Sequence, residues 1–293
     1  MNADGTGSQL IPARAREPIP LTARELDQQF PGILDAVSLL AGGANVILQL
    51  ARPGVGYGVL ESRVESGQIF RRPLKRTRTT LTYLIVALAG TDEEKQAYRQ
   101  AINTVHAQVY STPQSPVQYN GFDHDLQLWV AACLYWGFAD TWRLLRGEPD
   151  PVSAGIFYQR AAALGTTLQV SPERWPSDLT AFQTYWQLEL ARIHIDPPVR
   201  AYLTDIAELK FLPAVFSLSL GPLNRFLTAG FLPPKVREEM HFTWGAKQQK
   251  RFDLLISAVA FVNRCLPRVI RQLPFLVVLW DFRRRLRNGA PLL

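Results

Sequence analysis

The sequence predicts an all-α protein, a single helical domain, on three observations. Apolar residues recur at three- and four-residue spacings through most of the 293 residues, and alternating strand-like runs are rare. The joints between periodic stretches are prolines, as at Pro172, Pro176, Pro197-Pro198, Pro233-Pro234 and Pro267, rather than polar linkers. No internal repeat or low-complexity segment interrupts the pattern.

Taken in chain order, residues 1–20 are rich in Gly, Pro, Ala and Arg, carry no apolar core of a signal peptide, and are expected to be frayed. Residues 21–293 are expected to form the single domain. From Arg78 to Leu88 apolar and small residues are nearly continuous, the mark of a helix buried on most sides. Gly90 ends it. Thr91, with Glu94 three residues on, supplies a capping box for the next helix, which carries Tyr98, Ile102, Val105, His106 and Val109 on one face. That helix is expected to end before Ser111-Thr112-Pro113. A long helix follows from about Asp123 to Leu145 and stops at Gly147-Glu148-Pro149. Further helices are expected at 150–165, 177–192, 197–208, 246–265 and 268–287.

Composition narrows the function. At 47% hydrophobic residues with a net charge of +7, the chain is neither disordered nor strongly polyelectrolytic. Its arginine clusters, Arg71 to Arg78 and Arg283 to Arg287, lie in no nucleic-acid motif, so no nucleic-acid partner is expected. Two cysteines make no disulfide framework and suit a reducing, cytoplasmic compartment. The longest apolar run, Leu273 to Trp280, contains Pro274 and is far too short to span a bilayer. The stretch from Phe275 to Arg287 joins apolar residues to four arginines. It reads either as a last helix packed on the body with a solvated basic end, or as a weak peripheral contact with an anionic membrane.

No glycine-rich phosphate loop, zinc-protease helix or nucleophile elbow is present. The four histidines, His106, His124, His194 and His241, lack the spacing of a metal pair. A haem needs one axial ligand, and His106 on an apolar helix face suits that need. From position alone the commoner reading is a core histidine bonded to a backbone carbonyl. Arg76, Thr80 and Tyr83 stand at i, i+4 and i+7 and share a face if their segment is helical. They read either as a polar wall facing a ligand or carboxylate, or as an exposed first turn with Thr80 bonded back to a carbonyl.

Several stretches resemble a known family. Gly42-Gly43 leads into Leu48-Gln49-x-Ala51-x-Pro53-x-Val55-x-x-Gly58-Val59; Arg76 to Gly90 is similar to an Arg-x-x-x-Thr helix ending in glycine. Val105-His106-Ala107-Gln108-Val109 and the block Tyr119-x-x-x-Asp123-x-x-Leu126-x-x-Trp129-Val130 follow. Then come Phe182-x-x-Tyr185-Trp186, Leu232-Pro233, Val236-Arg237-Glu238 and Leu266-Pro267-x-x-x-Arg271. Their succession over about residues 32–285 resembles the rubber oxygenase (latex-clearing protein) and MpaB-type oxygenase family.

The resemblance implies a globin-like helical core that binds haem b, with His106 matching the iron ligand and Arg76 and Thr80 matching residues beside the haem. Glu61 lies near the place of a glutamate base. Thr79 stands where rubber-cleaving members carry a lysine, and Ala131 where the Trp-Val block usually continues with histidine. The implied activity is a haem-dependent oxygenase using dioxygen on a small apolar substrate, such as an unsaturated lipid or terpenoid. The alternative is a haem- or lipid-binding module that keeps the fold without the chemistry. Oligomeric state is left open.

Overall fold

A computed structural model of the protein describes residues 20–293; the frayed segment expected at the N-terminus lies almost wholly outside them. The described residues form α-helices and short 3₁₀ turns, with no β-strand. An isolated antiparallel bridge joins Tyr110 to Asn120. The all-α expectation holds.

Helix α1 (Ala23–Gln29) starts at a capping box between Thr22 and Glu25. A 3₁₀ turn, Ala36–Ala41, feeds α2 (Gly42–Leu50), and Pro53 opens α3 (Pro53–Leu60). Helix α4 (Pro73–Ala89) is the buried helix of the sequence: every residue from Leu81 to Ala89 is buried. Thr91 and Glu94 form the expected capping box of α5 (Asp92–His106). This helix ends three residues earlier than its apolar pattern suggests, so Val109 lies beyond it in the chain leading to the Tyr110 bridge. Asp123 caps α6 (His124–Arg146), which Gly147 stops with φ of 90°.

The expected helix at 150–165 is divided into α7 (Pro151–Ala161) and a single turn, α8 (Ala163–Thr166). Helices α9 (Leu179–Ala191) and α10 (Pro197–Ala207) match expectation. So do α13 (Ala246–Cys265) and α14 (Arg268–Arg287), which follow α12 (Pro234–Glu239). Periodicity alone does not predict α1, α2, α3, α12 or α11 (Ala214–Phe231), the last of which has Pro222 inside it. An interior proline costs about 3 kcal/mol. Burial of Leu227, Ala229 and Phe231 on the same helix offsets that cost.

Helices α4 and α6 lie at the centre. Helix α14 packs along α4, α13 along α6, and α2 is enclosed by α3, α6, α10 and α11. Aromatic rings fill the far side of α6. Trp186 stacks on Trp129 at 5.4 Å and on Trp136 at 4.6 Å, and Tyr135 meets Phe182 edge-on at 4.8 Å.

One buried carboxylate ties the helices together. Asp35 is 1% exposed. Its Oδ2 accepts from Arg146 Nη2 at 2.7 Å, Arg271 Nη1 at 2.8 Å and Asn263 Nδ2 at 2.6 Å. These donors come from α6, α14 and α13. Removing one partner of a buried ion pair strands the others, at a cost of about 3–5 kcal/mol. Asp35→Ala is therefore expected to destabilise the chain by about that amount, seen as a lower denaturant midpoint at unchanged slope. A change below about 1 kcal/mol would show that the cluster is stabilised by other contacts.

Candidate functional site

The N-terminal half of α4 is where the chain leaves the fully buried regime. Pro73 opens the helix, and the run Lys75 to Thr80 places polar side chains on a segment whose continuation is all core. Two neighbouring hollows, of about 290 and 350 Å³, lie on either side of this segment. Arg76, Thr80, Leu84, Gln49 and Leu134 border both, so the hollows share a wall. Each lies within the usual range of ligand pockets, about 300–1,000 Å³, or at its lower edge.

His106, Tyr83, Tyr98, Ile102 and Val130 line the smaller hollow. His106 is the last residue of α5, where the helix dipole favours a charged imidazolium. Burial wins over the dipole: desolvation first, and the charge of Arg76 second, push the His106 pKa down from 6.5 to about 4. The ring is neutral at physiological pH, with one lone pair and one N–H. Its Nδ1 is enclosed without a hydrogen-bond partner, and no described residue bonds the other nitrogen. The carbonyl-bonded core histidine is thus not what the structure contains.

The backbone around His106 is fixed by close approach. A Cβ on Gly121 would meet the His106 carbonyl oxygen at 2.5 Å, so only glycine fits in the Tyr119-Asn120-Gly121 stretch. Gly121 N–H donates to the Val109 carbonyl at 2.7 Å, and Gln127 Nε2 donates to the Gly121 carbonyl at 2.8 Å. Gln127 bonds Gln169 in turn, and Gln169 donates to Asn103 on α5. A chain of amides therefore holds the end of α5 against α6.

Arg76 borders both hollows and has neither a carboxylate nor any other hydrogen-bond acceptor among the described residues. Desolvation of the guanidinium lowers its pKa, opposed by Tyr202 and Tyr98, although the residue as a whole is exposed where the hollows open. A guanidinium remains charged all the same, so the site holds an uncompensated cation. Thr80 faces the same space, and its hydroxyl makes no hydrogen bond with described residues; the back-bonding threonines are Thr79, to Arg76, and Thr82, to Arg78. Tyr83 differs. Its ring lines the hollow, but its hydroxyl donates to the Leu164 carbonyl, and burial raises its pKa. The Tyr98 hydroxyl likewise donates to the Thr79 carbonyl at 2.6 Å.

Arg76, Thr80, Tyr83 and His106 are thus brought to one cavity wall. Glu61 is placed behind that wall. It lies at the C-terminal end of α3, exposed, and its Oε2 accepts from Ser115 and Tyr119, each at 2.6 Å. Tyr119 lines the hollow; Glu61 does not. The other histidines lie elsewhere, His194 for instance beside Asp196 at 3.1 Å. Among the described residues no cluster of three His, Cys, Asp or Glu side chains forms a metal site.

Sequence reasoning missed the polar pair on the larger hollow. Gln49 Nε2 donates to Asn45 Oδ1 at 2.6 Å, and Asn45 Nδ2 donates to the Cys133 carbonyl at 2.7 Å. The signal was available: two amides at i, i+4 on the otherwise apolar helix α2. Gly137 provides their space, since a Cβ there would lie 2.3 Å from Asn45 Nδ2.

An all-α protein with a partly open, mostly apolar double hollow, one neutral imidazole and one unpaired guanidinium defines the class. Residues 32–261 match the model of the family described as ER-bound oxygenase mpaB/B'/rubber oxygenase, catalytic domain, and the chain belongs to that family. Uncharacterized proteins of Mycobacterium tuberculosis and Mycobacterium bovis are each 47% identical to it over 251 residues, which cover 86% of this chain and 98% of theirs. No solved structure matches.

The depressed His106 pKa carries a stability consequence. Between pH 6.5 and about 4 the unfolded imidazole takes up a proton that the folded one refuses, so folding stability falls as pH falls through this window and levels off below it. His106→Leu is expected to flatten that slope in thermal unfolding measured across pH 4–7. An identical slope in the variant would mean that His106 is not buried neutral.

Proposed function

We propose that the protein is a haem b-dependent oxygenase acting with dioxygen on a small, apolar, unsaturated lipid or terpenoid, and that residues 21–293 serve as one catalytic unit with a globin-like core. The observation that carries this reading is the unpartnered neutral imidazole of His106 in the same cavity as the unpartnered guanidinium of Arg76. A haem supplies what each lacks. His106 would hold the iron through a neutral imidazole nitrogen, and Arg76 would pair with a propionate carboxylate. When bound, haem would supply the activation of dioxygen.

The chain's own part is binding and orientation. His106 presents a nitrogen that stays unprotonated above about pH 4. Arg76 offsets the carboxylate charge and sets polarity at the wall between the hollows. The Gln127–Gln169–Asn103 amides fix the end of α5, from which the His106 ring projects. Thr80 offers a hydroxyl free to donate or accept. The larger hollow, apolar apart from Arg76, Thr80, Asn45, Gln49 and a few neighbours, would take the substrate and exclude water from it.

A second reading, a haem- or lipid-binding module without oxygen chemistry, has one specific support: the carboxylate at Glu61 lies outside the cavity, bonded to Tyr119 and Ser115. Oxygen uptake with an added alkene separates the two.

The purified protein, supplied with haem, is expected to show a Soret band with stoichiometric iron, and His106→Ala to lose it. Arg76→Ala should keep the band but bind haem about 10- to 100-fold more weakly, the loss of one charge-assisted contact. Wild type with no Soret shift would overturn the reading.

A further inference from the structure

Helix α14 is apolar on two opposite faces. Phe275, Leu279 and Phe282 are buried against the body. Val269, Ile270, Leu273, Val277 and Trp280 recur at three- and four-residue spacings on the opposite side and stand 50–65% exposed. The C-terminal half of α13 adds Phe261 and Val262, 64% and 57% exposed. A helix apolar all round needs a second apolar surface, and single-chain proteins seldom leave a patch of this size bare.

The charge on this face has one sign. From Leu254 to Trp280 the chain has no Asp or Glu, and its charged residues are Arg264, Arg268 and Arg271. Arg268 and Arg271 are turned to Asp27 and Asp35, whereas Arg264 is exposed and has no ion-pair partner among the described residues. At the far end Arg78, Arg284 and Arg285 surround one carboxylate, Asp281, leaving cationic excess, and Arg284 lies over the Trp280 ring at 5.2 Å. Tryptophan beside arginine at the edge of an apolar stripe is the arrangement of a membrane interface.

A groove of about 370 Å³ opens in this face between the 3₁₀ turn, α13 and α14, walled by Val37, Val259, Val262, Leu266 and Ile270. The same turn and helix wall the larger hollow, through Leu39 and Phe275. The groove is therefore one element away from the cavity.

We propose that the exposed stripe of α14 and the C-terminal half of α13 dock peripherally on an anionic lipid bilayer. The charge pattern favours this occupant over a second copy of the chain: pairing this face with itself would bring two cationic surfaces together, and its one carboxylate, Asp281, is already held by three arginines. Docking needs no cofactor. The corollary, that apolar substrate passes from the bilayer by way of the groove, rests on the oxygenase reading above.

The test is flotation of the full chain with phosphatidylcholine vesicles, with and without phosphatidylglycerol, alongside light scattering for oligomeric state. Wild type is expected to float with the mixed vesicles and to be released by salt. Val269→Ser and Trp280→Ala are each expected to weaken binding about tenfold, since each removes about 1–2 kcal/mol of apolar burial. Both positions are exposed, so unchanged thermal unfolding confirms that the variants remain folded. Wild type that floats with neither vesicle overturns the proposal. So does a dimer that Val269→Ser dissociates, which would assign the face to a second copy. Neither result bears on the Soret measurement, so the two readings fail separately.

Discussion

Everything in the site depends on the burial of α4. Its C-terminal half, Leu81 to Ala89, is enclosed by core, so the helix can neither rotate nor slide without exposing apolar surface. That constraint fixes the direction of the preceding turn. Arg76, Thr80 and Tyr83 face the cavity beside Leu84 because the burial of Ile85, Val86 and Ala89 fixes the rotation of the helix. Arg76 is an exposed residue, so its unpaired guanidinium keeps contact with solvent while it borders the hollows. The Asp35 cluster and the aromatic layer on α6 hold the fold together away from this wall.

Polar residues on the cavity wall divide into two kinds. Tyr83, Tyr98, Thr79 and Asn45 are bonded to backbone carbonyls and hold the wall in shape. Arg76, Thr80 and His106 are not bonded and are available to a ligand. The division is chemical as well as structural. A hydroxyl committed to a buried carbonyl, with its pKa raised by desolvation, is a poor proton donor. The position of Glu61 fits the same logic. Its carboxylate is held by two hydroxyls at the protein surface, where it braces Tyr119 instead of entering an apolar space in which a free carboxylate would be costly.

The apolar character of the cavity and that of the α14 face are parts of one pattern. The 3₁₀ turn at Ala36–Ala41 and α14 separate them, and both elements are tied to the core by Asp35.

The sequence by itself determined the helical class, the capping box at Thr91 and Glu94, the burial of α4 and the shared face of Arg76, Thr80 and Tyr83. These are local: three- and four-residue periodicity and capping depend on neighbours in the chain. It also singled out His106, though not whether the ring would be bonded or free. Tertiary structure alone decided the rest. Helix α11 was hidden by Pro222, whose cost only packing could offset. The end of α5 at His106 is set by Gly121 approaching its carbonyl from another segment. The free state of Arg76 and His106 is a statement about which acceptors are absent around them, and the displacement of Glu61 behind Tyr119 a statement about distance. Contacts between residues far apart in sequence leave no periodic trace, because they are settled by how helices already formed bury their apolar faces against one another.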